Sequence, residues 1–256
     1  PVLIRGKGGV RLTENGRALL PAIREILNAN DHMDQIVANI RGMSFGRLRI
    51  GTFASASVLW LPKIIEEFSH DYPGIQIEII VGGNDSLISQ LDESCIDFAI
   101  MSNPPQGYEW IHLASDRMLV LLPPGHRLVD KDRVTLDEID DDPFILSNEG
   151  FDYDVSQIIK GSGITPRLSF STMENRGIIA MIQHGLGVTV MPEMVLDSLE
   201  SNVITKELAP CEYRHMGIIV KSVNTASLAA KTFISYAKRI ISELGTYPPI
   251  DGELNA

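Results

Sequence analysis

From Arg47 onward the chain alternates short apolar runs with amphipathic helical stretches, and that alternation narrows the fold more than any other feature of its 256 residues. A strand through Ile50 precedes a helix over 57–70, which Pro73-Gly74 ends. A strand over 75–81 leads through Gly82-Gly83-Asn84 to a helix over 87–91 and a strand over 96–101. Such succession places neighbouring strands parallel, because each helix carries the chain back along one face of the sheet. After a strand over 117–122, Pro123-Pro124-Gly125 stops the chain abruptly and marks a candidate lobe boundary. The alternation resumes with strands over 144–147, 167–171 and 188–191 and helices over 155–160 and 174–184. A strand over 216–221 and a helix capped by Ser227, bearing Leu228, Phe233, Ala237, Ile240, Ile241 and Leu244, are expected to return to the first sheet. The expected fold class is α/β with two lobes and mostly parallel sheets. Lobe I takes in 47–122 and 214–246, lobe II takes in 123–213, and 247–256 is a loose tail.

A long helix is expected ahead of this region. Thr13 is a good N-cap, and Leu19, Ile23, Ile26, Asn30, Met33, Val37 and Ile40 follow at alternating spacings of four and three. Ile23, Asn30 and Val37 take a positions of a heptad and the others d positions, so one polar residue interrupts a narrow apolar seam. The pattern predicts a coiled-coil linker helix that pairs with a second copy, as a dimer or tetramer, rather than packing on its own domain. Glycines at 42 and 46 then form a hinge, completing a linker over 17–46.

The net charge of −11 hides an asymmetry. Residues 1–24 carry Arg5, Lys7, Arg11, Arg17 and Arg24 against Glu14 alone, a basic tip that suits a phosphate backbone. A solvated basic terminus accounts for the charge equally well. Pro1 is no initiator, and the glycine-rich stretch ending in Val10-Arg11-Leu12 reads as the close of a hairpin whose natural start lies upstream. A hydrophobic content of 44% is ample for a core, while no apolar run approaches the ~20 residues of a membrane span, so a cytoplasmic protein is expected. Cys95 and Cys211 have no cysteine or histidine partner at metal-ligand spacing and read as buried thiols. The acidic run 137–142 reads as a solvated helix end.

Catalysis finds little support. There is no Gly-x-Ser-x-Gly elbow, no phosphate-binding Walker loop and no metal-binding pair among the six histidines, and Gly185-x-Gly187 lacks the third glycine of a dinucleotide site. A binding protein without metal or cofactor is expected instead. In an open α/β lobe, ligands gather at the carboxyl ends of strands. The stretch 52–57 lies there, and Thr52, Ala54, Ser55 and Ser57 offer hydroxyls and helix-start amides to a polar or anionic ligand. Ordinary helix capping explains the same hydroxyls. Arg176, beside Glu174, could clamp an anion but reads better as a surface arginine.

Several motifs, in order, resemble the LysR-type transcription regulators. Val10-Arg11-Leu12-Thr13-Glu14-Asn15-Gly16 is similar to that family's wing and the helix start after it. Gly46-Arg47-Leu48-Arg49-Ile50-Gly51, Leu61-Pro62 with Phe68 and Tyr72-Pro73, and Asp97-Phe98-Ala99-Ile100 follow. Leu122-Pro123 with His126, the run from Gly185-Leu186-Gly187-Val188 to Met191-Pro192, and Phe233 complete the match. Ser94, in place of a usual glycine, and His184, in place of a common alanine, depart from it.

The resemblance implies a winged helix-turn-helix domain, of which 1–16 is the remnant, and DNA as a partner through Arg5, Lys7 and Arg11. It implies a periplasmic-binding-protein-like sensor that holds a small effector between its lobes, and antiparallel linker helices where Asn30 by itself would suggest parallel pairing. It adds Met101, Ser102, Ser147, Asn148, Thr172, Gly187 and Thr189 to the effector site. A solute-binding protein for uptake would share the two lobes but not the heptad helix or basic hairpin. An enzyme of similar shape, such as a deaminase, is a more remote reading.

Overall fold

The computed structural model describes residues 1–6, 9–40, 45–103, 106–147, 153–172, 174–199 and 202–247. The expected hinge residues 41–44 and tail residues 248–256 lie outside the described residues. The chain opens on an antiparallel hairpin, β1 (Leu3–Gly6) and β2 (Gly9–Leu12), followed by α1 (Glu14–Ile40). Thr13 joins the two: its Oγ1 accepts the Gly16 amide at 2.9 Å and donates to the Pro1 carbonyl at 2.8 Å. Gly16 has a steric reason to be glycine, since a Cβ there would lie 2.2 Å from the Val2 carbonyl oxygen.

Lobe I begins with β3 (Gly46–Thr52), α2 (Ala54–Leu59), α3 (Leu61–Asp71), β4 (Ile75–Val81), α4 (Asn84–Asp92) and β5 (Phe98–Ser102). β3 pairs in parallel with both β4 and β5. The single helix expected over 57–70 is two helices that meet at Trp60, because Pro62 has no amide to continue the ladder of the preceding turn. α3 buries Leu61, Ile64 and Phe68, which recur at helical spacing.

β6 (Glu109–Leu122) then runs the length of both lobes. Lobe II follows with β7 (Arg133–Thr135), a 3-10 turn (Asp137–Ile139), β8 (Pro143–Ser147), α5 (Tyr153–Ser162), β9 (Arg167–Thr172), α6 (Asn175–Gln183), β10 (Thr189–Pro192), α7 (Glu193–Asp197) and β11 (Ile204–Ala209). The chain returns through β12 (Tyr213–Val220) and ends on α8 (Leu228–Leu244), capped as expected by Ser227, whose Oγ accepts the Ala230 amide at 3.1 Å.

The sheet is mixed, which corrects the expectation of mostly parallel strands. β12 is antiparallel to both β5 and β6, and β10 and β11 are antiparallel to β6. Opposite directions follow from the topology, since one strand carries the chain out of lobe I and its neighbour brings it back. β6 pairs with β12 up to Arg117 and with β10 from Met118, so partners change inside the strand, ahead of Pro123-Pro124-Gly125. Helices cover both faces of the lobe I sheet: Ile50, Phe68, Phe98 and Phe233 pack under α3 and α8, and Leu87, Leu91, Ala99 and Ile219 under α4. Lobe II has two cores likewise, one around Val120, Phe144 and Val155 and one around Leu121, Ile145, Ile178 and Ile182.

The cysteines correct a second expectation. Cys95 is half-buried and Cys211 exposed, both free thiols, because each sits in a connection, after α4 and between β11 and β12, rather than on a core-facing element. Among the described residues no helix is long and apolar enough to cross a membrane, and no group of residues has the makings of a metal site.

Candidate functional site

A cavity of about 140 Å³ lies between the lobes. On the lobe I side, the turn from β3 into α2 presents Phe53, Ala54 and Ser55, the Gly82-Gly83-Asn84 turn opens α4, and Ser102 ends β5. Facing them are Tyr153 and Asp154 of α5, Glu174 and Asn175 at the start of α6, and Val195 of α7. Arg214, on the returning strand β12, closes the site.

Two polar groups here have no partner among the described residues. Ser55 is 4% exposed and Arg214 is 5% exposed, and among the described residues neither the Ser55 hydroxyl nor Arg214 Nε has a hydrogen-bond partner. A native fold rarely leaves such groups unmet without a ligand or water to meet them. The rest of Arg214 is well held: Nη2 donates to Asp116 Oδ2 at 2.6 Å and the guanidinium lies 4.8 Å over the Phe53 ring. Burial pushes the Asp116 carboxyl above the usual range, while Arg214 and the Met194 amide, which donates to it at 3.2 Å, pull the other way.

Asp154 joins the lobes. Ser102 Oγ donates to its Oδ2 at 3.0 Å and Asn103 Nδ2 to its Oδ1 at 2.6 Å, and Asn84 Nδ2 secures the Ser102 carbonyl at 2.9 Å. Beyond Asp154, under α5, lies a larger cavity of about 610 Å³, whose lining includes none of the residues expected from sequence. The smaller cavity contains the unmet Ser55 and Arg214 groups and is the better candidate for a ligand.

The structure brings Ala54, Ser55 and Ser102 to this cavity and holds other candidates away from it. Thr52 is buried and donates to the Phe53 carbonyl at 3.3 Å, and Ser57 donates to the Ala54 carbonyl at 2.6 Å inside its own helix. Met101 packs in the lobe I core. Ser147 is buried at the end of β8, and Thr172 Oγ1 accepts the Glu174 amide at 3.3 Å. Gly187 packs against β8, where a Cβ would lie 2.3 Å from the Pro143 carbonyl oxygen, and Thr189 donates to the Ile145 carbonyl at 2.6 Å. Asn148 lies outside the described residues. Arg176 is exposed and lines a separate surface hollow, while its neighbour Glu174 caps α6. Sequence reasoning missed Asp154, Asn175 and Arg214 as site residues. The Gly82-Gly83-Asn84 signal was visible, but as a turn.

Beside the site, His112 and His215 share Ser115, with His112 Nε2 at 3.2 Å and His215 Nδ1 at 3.0 Å from its hydroxyl. Burial, and then the charge of His215, hold His112 below its usual 6.5. A lowered folded-state value means that His112 stays neutral in the fold and takes up its proton more readily when unfolded. The stability it contributes is therefore fully present above about pH 6.5 and is lost as the pH falls below that, through the lower folded-state value. The thermal midpoint is expected to drop as the pH falls below about 6.5, with a shallower drop in His112→Asn. Identical slopes in the two proteins would count against this assignment.

A family model described as LysR substrate binding domain matches residues 41–241. The chain belongs to the LysR family. Among its LysR relatives, the uncharacterized HTH-type transcriptional regulator YvbU of Bacillus subtilis (strain 168) is 34% identical over 236 residues, which cover 91% of this chain and 81% of YvbU. Two solved domains share the fold. The effector binding domain of QuiR in complex with shikimate superposes with a TM-score of 0.69 at 19% identity, covering 78% of this chain and 99% of QuiR's. The Synechocystis PCC6803 CcmR regulatory domain in complex with 2-PG gives 0.70 at 20% identity, covering 77% and 98%. The LysR match supports a regulator over the solute-binding alternative.

Proposed function

We propose that this chain is the sensor and linker of a cytoplasmic LysR-type transcription regulator, in which a small polar or anionic effector binds between the lobes and controls transcription. The observation that carries this reading is the pair of unmet buried groups, Ser55 Oγ and Arg214 Nε, on the walls of an interlobe cavity. The molecules found in complex with the QuiR and CcmR domains, shikimate and 2-PG, are of that small polar kind.

The division of labour follows the sequence: a wing hairpin over 1–16, a linker over 17–46 and the effector domain over 47–246. The hairpin presents exposed Arg5 and Arg11 to DNA phosphates, while Lys7 lies outside the described residues. α1 pairs with a second copy through Leu19, Ile23, Ile26, Asn30, Met33, Val37 and Ile40, whose last side chain is also outside what is described, and the assembly is a dimer or tetramer.

Native mass spectrometry of the chain after incubation with a bacterial small-molecule extract tests the reading. A bound small molecule is expected, with occupancy reduced in Ser55→Ala in line with a roughly two- to tenfold loss of affinity for one neutral hydrogen bond. An adduct held equally by both proteins would move the site elsewhere.

A further inference from the structure

The polar groups of the cleft are of two opposite kinds. Ser55 and Arg214, both more than nine-tenths buried, include groups without partners, and an incoming acceptor would satisfy them. On the lobe II wall, Asp154 and Glu174 present carboxylates, whose lone pairs can accept further donors beside those they already hold. Arg214 is the one basic side chain among the described lining residues, and Asp116 already balances its charge at 2.6 Å. The site thus sets Arg214 against three carboxylates, Asp116, Asp154 and Glu174.

A simple anion would enter a region of surplus negative charge. A simple cation would leave Ser55 and Arg214 unmet. One molecule carrying both groups meets both demands.

We propose that the effector is a small zwitterion of the α-amino-acid class, its carboxylate at Ser55 and Arg214 and its ammonium at Asp154 and Glu174. The proposal rests on the reading of this cleft as the effector site. Burial holds the Asp154 carboxyl above its ordinary range in spite of Arg214, so a neighbouring ammonium would favour its charged form. Ser102 and Asn103 hold that carboxylate in place from lobe I, so a ligand ammonium would meet a fixed acceptor. A cavity of about 140 Å³ has the room of roughly five waters, enough for a small amino acid.

Calorimetry on the whole chain with three matched series tests this: the L-amino acids, the 2-hydroxy acids with the same side chains, and the primary amines with the same side chains. At least one amino acid is expected to bind, its hydroxy acid and its amine each binding about tenfold or more weakly, because each loses a charge-assisted contact. Asp154→Asn should weaken the amino acid by a similar factor and leave the hydroxy acid unchanged, with Ser55→Ala weakening both. A hydroxy acid that binds as well as its amino acid, and is sensitive to Ser55→Ala, would overturn the zwitterion and leave the effector cleft standing. Binding indifferent to Ser55→Ala would overturn both, and no binding by any amino acid would overturn the zwitterion. If Asp154→Asn fails to fold, the three series on the wild-type chain decide the matter alone.

Discussion

Arg214→Ala is expected to destabilise the protein by about 3–5 kcal/mol, seen as a fall of roughly 10 °C in thermal midpoint. The reason is the carboxylate left behind. Asp116 has no exposed side-chain surface, and without Arg214 its charge would remain buried with, among the described residues, the Met194 amide alone donating to it. The loss also falls where the lobes meet, since Arg214 is on β12, Asp116 on β6 and Met194 on α7. Replacing both partners with apolar residues, Arg214→Met with Asp116→Leu, should recover most of the stability, because no uncompensated charge remains. A drop below about 1 kcal/mol for Arg214→Ala alone, in denaturant unfolding, would show that water reaches Asp116 and that the pair is not closed.

An effect on assembly of comparable size is expected from α1. Leu19, Ile23, Ile26, Met33 and Val37 are all exposed in the single chain, Ile26 by 70%. Such an apolar stripe along one helix calls for a partner. Covering an Ile or Met side chain contributes about 1.5–3 kcal/mol, and a symmetric pair counts each twice. The double change Ile26→Glu with Met33→Glu should therefore weaken self-association on the order of 10⁴-fold or more, before counting charge repulsion. Sedimentation equilibrium would show a wild-type dimer or larger and a variant shifted to monomer. A wild-type mass of 28.2 kDa at micromolar concentration would reject pairing through α1.

The sequence made legible those parts of the molecule whose signals are local. β4 spans 75–81 as read, α8 begins at its Ser227 cap, and the hairpin and the Thr13 cap of α1 are in place. β6 was half visible: 117–122 is an apolar run, but 109–116 contains Glu109, His112, Ser115 and Asp116, which serve the strand crossing rather than a simple core face. Strand direction escaped because pairing of β12 with β5 and β6 is decided by residues about a hundred positions apart. The candidate site was legible on its lobe I side, where a hydroxyl beside a helix start is a local pattern. Asp154 and Arg214 were not, because an acid at the start of α5 and an arginine on β12 acquire meaning only when the lobes bring them together. Conversely, Gly187 and Thr189 lie in a recognisable motif, yet their visible contacts hold β10 to β8.

Hydrogen–deuterium exchange of the chain, with and without the small molecule captured by native mass spectrometry, tests the central claim most directly. A ligand between the lobes should slow exchange on both walls together, around Phe53 to Ser55 and Gly82 to Asn84 on one side and around Tyr153, Asp154 and Asn175 on the other, with Arg214 protected at the crossing. Protection confined to one lobe, or confined to the larger cavity beneath α5, would contradict the account.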